Sequence, residues 1–225
     1  MLGASRLGDV STLITERTLF IHVPKTGGTW VTQALRAAGV PTAEVRTRLG
    51  PGRDGHASFA QCAAFADRFS FGFVRHPLGF LRSVWTSNER DGWPMVTRTL
   101  TIPPSEQRPE LAARGFAGMV QSTLELGDGS VSAFYRRFMD VAPPQVDFVG
   151  RHECLVDDLV EALRQAGESF DEDVLRSHPS ANVSAPPTGD GPRLPRDLAE
   201  RMVAGEHDLI ARYYADDPLP ERFVL

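Results

Sequence analysis

The residues of this chain best suited to chemistry on an anion lie together in Pro24-Lys25-Thr26-Gly27-Gly28-Thr29. Lys25 brings a positive charge, Thr26 and Thr29 bring hydroxyls, and paired glycines let a backbone curl close to a ligand. The nucleotide-triphosphate loop GxxxxGK[ST] sets its lysine after the second glycine, with a Mg²⁺-binding hydroxyl beside it. Here the lysine precedes both glycines, so that pattern is not met. Farther along, Arg75 is followed eight residues later by Ser83. A strand-end arginine and a hydroxyl two turns into the next helix can converge on one phosphate. Between these groups lies His56, in Asp54-Gly55-His56-Ala57-Ser58, a candidate general base. His22, His76 and Glu89 are the other candidates. His22 sits in a strand, where a packed histidine is the commoner case. His76 precedes Pro77 and equally suits a helix-start hydrogen bond, and Glu89 suits a solvated charge.

These residues need elements to hold them. Leu19-Phe20-Ile21-His22-Val23 reads as a short buried strand, and Val31, Ala34, Leu35 and Ala38 recur at helical spacing before Gly39 ends the helix. Strand, glycine loop and helix start together make an anion site, because the free N–H groups of the first turn point at the ligand. Ser70 to Val74 is a second strand, and Pro77 opens a second helix at a favoured position. Ligands of open α/β sheets bind beyond the carboxyl ends of strands, which puts Arg75 at the crevice of Lys25. Residues 58–68 predict a helix with Phe59, Cys62, Ala63 and Ala66 on one face, and a short strand is expected near Ala43-Glu44-Val45. Residues 1–18 read as a loose lead-in and 88–130 as an irregular lid or substrate segment. Helices are expected over 131–139, 155–166 and 195–215, with a third strand at 147–150. The alternation of strands and helices predicts an α/β protein with a central, mainly parallel sheet flanked by helices. All 225 residues are read as a single domain.

A net charge of −5 argues against a nucleic-acid binder working by bulk electrostatics, while leaving room for a local basic pocket. Cys62 and Cys154 are far apart and lack CxxC spacing, so no metal site or disulfide is expected and both read as small buried or half-buried thiols. No apolar run is long enough to span a bilayer, and the N-terminal stretch carries no apolar leader core. A cytoplasmic protein is the expectation, without a membrane partner.

PKTGGTW resembles the 5′-phosphosulfate loop of the sulfotransferases, which use 3′-phosphoadenosine 5′-phosphosulfate (PAPS) as sulfuryl donor on a P-loop-like, three-layer α/β fold. Arg75 and Ser83, within FGFVRHPLGFLRSVW, resemble the 3′-phosphate motif of the same family. The resemblance is strong over the first 90 residues and thins from 88 to 146. It implies that Lys25 contacts the bridging and sulfuryl oxygens and that Thr26, Gly27, Gly28 and Thr29 hold the 5′-phosphate. It assigns Trp30 to the adenine, Arg75 and Ser83 to the 3′-phosphate, and His56 to the general base. Many cytosolic members carry threonine where Gly28 stands. The Gly-Gly-Thr form looks closer to carbohydrate-modifying and bacterial members, which implies a small-molecule or carbohydrate-like hydroxyl acceptor. The products would be a sulfate ester and adenosine 3′,5′-bisphosphate (PAP), with no metal required. Val149-Gly150-Arg151-His152 resembles the family's third-strand segment near the adenosine, and Asn182 with Ser184 resembles a late motif near the donor phosphates. Two other classes stay open on the residues alone: a P-loop kinase-like phosphotransferase, and a nucleotide-binding module that has no catalytic step.

Overall fold

The chain enters its sheet earlier than the apolar run at Leu19 suggests. A computed structural model describes residues 12–45, 47–48, 54–91, 114–139, 146–180 and 191–225. Strand β1 (Leu13–Ile14) turns back through a tight loop, closed by the Thr15 N–H on the Thr18 carbonyl at 3.0 Å, into the wholly buried β2 (Thr18–Ile21). Residues 12–18 are therefore part of the sheet rather than a loose lead-in. Their apolar content, Leu13 and Ile14, is too short to register as a periodic strand, and pairing with β2 is what makes it one.

Helix α1 (Gly28–Ala37) follows the glycine loop and stops at Gly39, whose φ of 79° is the left-handed conformation glycine adopts freely. Strand β3 (Ala43–Glu44) pairs with β1, while β4 (Thr47–Arg48) and β5 (Asp54–Gly55) form a separate two-stranded ladder. Residues 58–68 do not make the expected α-helix. A 3-10 turn spans Ala60–Phe65, with Cys62 at φ −102° and ψ 19° breaking it. Of this stretch Cys62 is buried, whereas Ala63, Ala64 and Ala66 face solvent, so too little apolar surface is available to hold a full helix. Burial pushes the Cys62 thiol up to about 11.

Strand β6 (Phe69–Val74) and helix α2 (Pro77–Asp91) bracket Arg75. Within the expected lid, α2 runs on to Asp91 and helix α3 (Gly115–Leu124) is regular and largely buried, so these parts are not irregular. Residues 92–113 of that segment lie outside the described residues, as do Asn182 and Ser184. Then come α4 (Ser130–Met139), β7 (Phe148–Arg151), α5 (Leu155–Gln165) and α6 (Glu172–Ser177). The sequence reading missed α6; its N-cap Asp171 accepts the Val174 N–H at 3.0 Å. The helix expected over 195–215 is two, α7 (Arg196–Gly205) and α8 (His207–Tyr213). The Gly205 carbonyl accepts the Gly129 N–H at 2.7 Å instead of continuing the helix. Glu206 turns inward, accepting the backbone N–H groups of Val131 at 2.7 Å and Ser132 at 2.9 Å at the start of α4. A tertiary cap has replaced a helical turn.

The protein is α/β, with a five-stranded sheet in the order β3-β1-β2-β6-β7. Strands β2, β6 and β7 are parallel, but β1 and β3 join antiparallel, so the sheet is mixed rather than mainly parallel. The chain divides into two units, Met1–Val74 with Phe138–Asn182 and Arg75–Arg137 with Val183–Leu225. The core of the first joins Phe20, Phe71 and Phe73 of the sheet to Val31 and Leu35 of α1 and Leu159 and Leu163 of α5. Phe20 and Phe71 stack with ring centroids 5.2 Å apart. Burying each such side chain is worth about 1.5–3 kcal/mol, so this layer fixes where β2 and β6 end and hence where the loops begin. In the second unit α2 packs against α3 and α7. Among the described residues no helix is long and apolar enough to cross a membrane.

Candidate functional site

After β2 the backbone passes through His22, Val23 and Pro24 to Lys25, which takes φ 67°, the one non-glycine residue with positive φ among those described. A left-handed lysine is held there against its own preference, a form of strain that clusters at ligand sites. Thr26 is fully buried and its hydroxyl donates to the Val23 carbonyl at 2.8 Å, which closes the turn beneath Lys25. That hydroxyl thus holds the loop, whereas Thr29 is half-exposed. Gly27, at φ 95° and ψ 10°, is the N-cap of α1, and no side chain caps the helix start. The first turn of α1 carries no acidic residue. Its N–H groups and the positive end of its dipole therefore meet no carboxylate from their own turn.

His56 packs on His22, 34 positions before it in the chain. The ladder β4–β5 ends at Gly55, and the buried Thr12 hydroxyl donates to the Ala57 carbonyl at 3.0 Å, fixing the backbone on either side of His56. Its ring meets that of His22 edge-on, with centroids 4.3 Å apart and planes at 84°. His22 is 6% exposed and stacks on Phe20 at 5.9 Å, so it is a packed histidine, although it lies just beyond β2 and not in the strand where the sequence puts it. After β7, His152 and Leu155 lie against Gly27. A Cβ at Gly27 would lie 2.6 Å from the Leu155 Cδ2 and 3.4 Å from the His152 Cδ2. The Arg151 N–H donates to Asp158 at 2.6 Å, and burial holds that carboxyl above its usual range in spite of this bond. Trp30 is only 6% exposed and belongs to the core, with its ring 6.0 Å from that of His178.

Arg75 and Ser83 belong to the second unit. Arg75 directly follows β6, and Tyr135 clamps its backbone: the Arg75 N–H donates to the phenol oxygen at 3.2 Å, and the phenol donates to the Arg75 carbonyl at 2.9 Å. Sequence reasoning missed this clamp, since Tyr135 registers only as an apolar position of its helix. The Arg75 Nε passes 3.3 Å from where a Cβ at Gly79 would be, so glycine there leaves the side chain its path. Ser83 lies half-buried two turns into α2. His76 is a helix cap. Its Nδ1 accepts the Leu78 N–H at 3.3 Å, which leaves Nε2–H to donate to the Pro218 carbonyl at 3.1 Å, and its ring stacks on Phe223. Glu89 is exposed on α2.

The structure therefore gathers Lys25 to Trp30 into one loop and helix start, sets His56 against that loop through His22, and retires His76 to a structural role. No protein-family model, curated protein or solved structure matches this chain.

Proposed function

We propose that this chain is a PAPS-dependent sulfotransferase with a P-loop-like fold, acting on a hydroxyl of a small-molecule or carbohydrate-like acceptor. The observation that carries the reading is the lysine-bearing loop before an uncapped, acid-free helix start, with His56 brought beside it. The resemblance of PKTGGTW and of the Arg75–Ser83 pair to the family's motifs supplies the donor's identity.

In this reading the acceptor oxygen attacks the donor sulfur as the bond from sulfur to the 5′-phosphate oxygen breaks. The electron pair stays on the departing phosphate, where Lys25 and the N–H groups of Gly28 and Thr29 stabilise the growing negative charge. The acceptor proton passes to His56, which must be neutral beforehand. Arg75 and Ser83 take the 3′-phosphate, the group that separates this donor from ATP. Trp30, being buried, would meet the adenine through an edge rather than as an open stacking platform.

The test is thermal unfolding in the absence of Mg²⁺. PAP should raise the melting temperature, since a ligand at a hundred times its Kd adds about 2.7 kcal/mol of stability, and ATP should not. Stabilisation by ATP with Mg²⁺ and none by PAP would turn the reading to a phosphotransferase. Stabilisation by PAP without sulfuryl transfer to any acceptor of a broad panel would leave a binding module.

A further inference from the structure

The two glycines of the loop answer to different causes, and the second points to a partner for His56. Gly27 is needed for its φ of 95°. Gly28 has an ordinary backbone conformation, in a first helical turn where alanine would serve better. What forbids a side chain there is His22: a Cβ on residue 28 would lie 1.8 Å from the His22 Cδ2 and 2.0 Å from its Nε2. The imidazole of His22 thus fills the space beneath the first residue of α1. One neighbour of that ring is Phe20, stacked at 5.9 Å, and another is His56, edge-on at 4.3 Å. A ring held by the sheet and by a helix start is a rigid wall, and His56, on a loop, leans on it.

We infer that His22 is a positioning residue for His56: its ring sets the plane and place of the His56 imidazole beside the phosphate loop, and Gly28 is glycine to admit that ring. The consequence for turnover rests on the sulfotransferase reading; the packing does not. A reacting group displaced by about 1 Å can lose on the order of 10²-fold in rate, so a wall that holds the base matters without touching substrate.

Two measurements test this. The first is a stability cycle by thermal unfolding. Gly28→Ala should lower the melting temperature of the parent and should not lower it further in the His22→Ala background, where the space is open. Additive losses would overturn the assignment of Gly28 to His22. The second compares His22→Ala with His22→Phe, which keeps an aromatic wall but no nitrogen, for sulfuryl transfer and for PAP affinity. His22→Ala should lose on the order of 10²-fold in kcat with PAP affinity held within about twofold, and His22→Phe should recover most of that loss. If the two fail equally, the nitrogen and not the wall is what counts, and the inference falls. Should the parent itself transfer no sulfuryl group, the sulfotransferase reading fails on its own. Carbethoxylation of His56 then decides in its place: faster modification in His22→Ala and a parental rate in His22→Phe uphold the wall, and equal rates in all three overturn it.

Discussion

Lys25 and His56 divide the proposed chemistry between charge and proton, and their variants should fail differently. Lys25→Ala would remove the cation that the proposal sets against the departing phosphate, and a lost oxyanion donor costs roughly 10²–10³-fold in turnover. His56→Ala should cost roughly 10²–10⁴-fold, the range for a general base, with PAP affinity retained because the loop is untouched. Turnover and PAP affinity measured on the same preparations decide the matter. Retained turnover in His56→Ala would remove it from the mechanism, and His76 is no substitute, since both its nitrogens are engaged in capping α2 and bonding Pro218.

Arg75 carries a separate expectation at the same scale. Its backbone is pinned by Tyr135, so Arg75→Ala should remove a charge without unseating the chain. Loss of hydrogen bonds to a charged group predicts PAP binding weaker by about 1.5–3 kcal/mol. Adenosine 5′-phosphosulfate, which lacks the 3′-phosphate, should bind nearly as before. Calorimetric titration of both ligands checks this, and equal losses would show that Arg75 does not read the 3′ group.

At the scale of elements, the α1 unit has a glycine at each end in the left-handed region, and the two should respond differently to alanine. Gly27→Ala imposes φ 95° on an alanine and drives its Cβ to 2.6 Å from Leu155. Such strain costs about 1–3 kcal/mol, and because Gly27 is the N-cap facing the loop, PAP affinity should drop with stability. Gly39→Ala meets no atom within 4 Å, so roughly 1–2 kcal/mol of backbone strain is its whole cost. PAP affinity should be parental once the variant is folded. Denaturant unfolding with a PAP titration on each variant separates the two, and a joint loss at Gly39 would contradict the placing of the anion site at the start of α1.

For the whole molecule the instructive residue is Glu206, almost fully buried where α7 gives way to α8. Its carboxylate accepts from Val131, Ser132 and the Ser132 hydroxyl, the last at 2.5 Å, yet burial outweighs these bonds and holds its carboxyl above the usual 4.5. The folded chain then binds this proton more tightly than the unfolded chain. Between 4.5 and the raised value folding takes up a proton, so this group's contribution to stability falls as pH rises. Glu206→Gln should be less stable, by about 1–3 kcal/mol for hydrogen bonds disturbed in a buried cap, and should lack that slope. Urea unfolding at a series of pH values above 4.5 should show the gap between parent and variant narrowing as pH rises. A widening gap would mean that the hydrogen bonds, and not burial, govern the carboxyl.

What the residues determined by themselves was local. Leu19 to Gly39 dictated strand, loop and helix because an apolar run, two glycines and a helical repeat each have one comfortable conformation there. Ser70 to Pro77 did the same, and α4, β7 and α5 fell within a residue or two of their periodic signals. Wherever an element depended on a distant surface, the local pattern failed. Leu13–Ile14 is a strand only because β2 lies beside it, the exposed alanines after Phe59 have nothing to pack on, and Gly205 leaves its helix for Gly129. The candidate site divides the same way. The turn and the helix start behind it were legible in Gly27 and Gly28. The packing of His56 on His22 was decided by the tertiary structure alone, because contacts between side chains 34 positions apart leave no periodic trace in the chain that makes them.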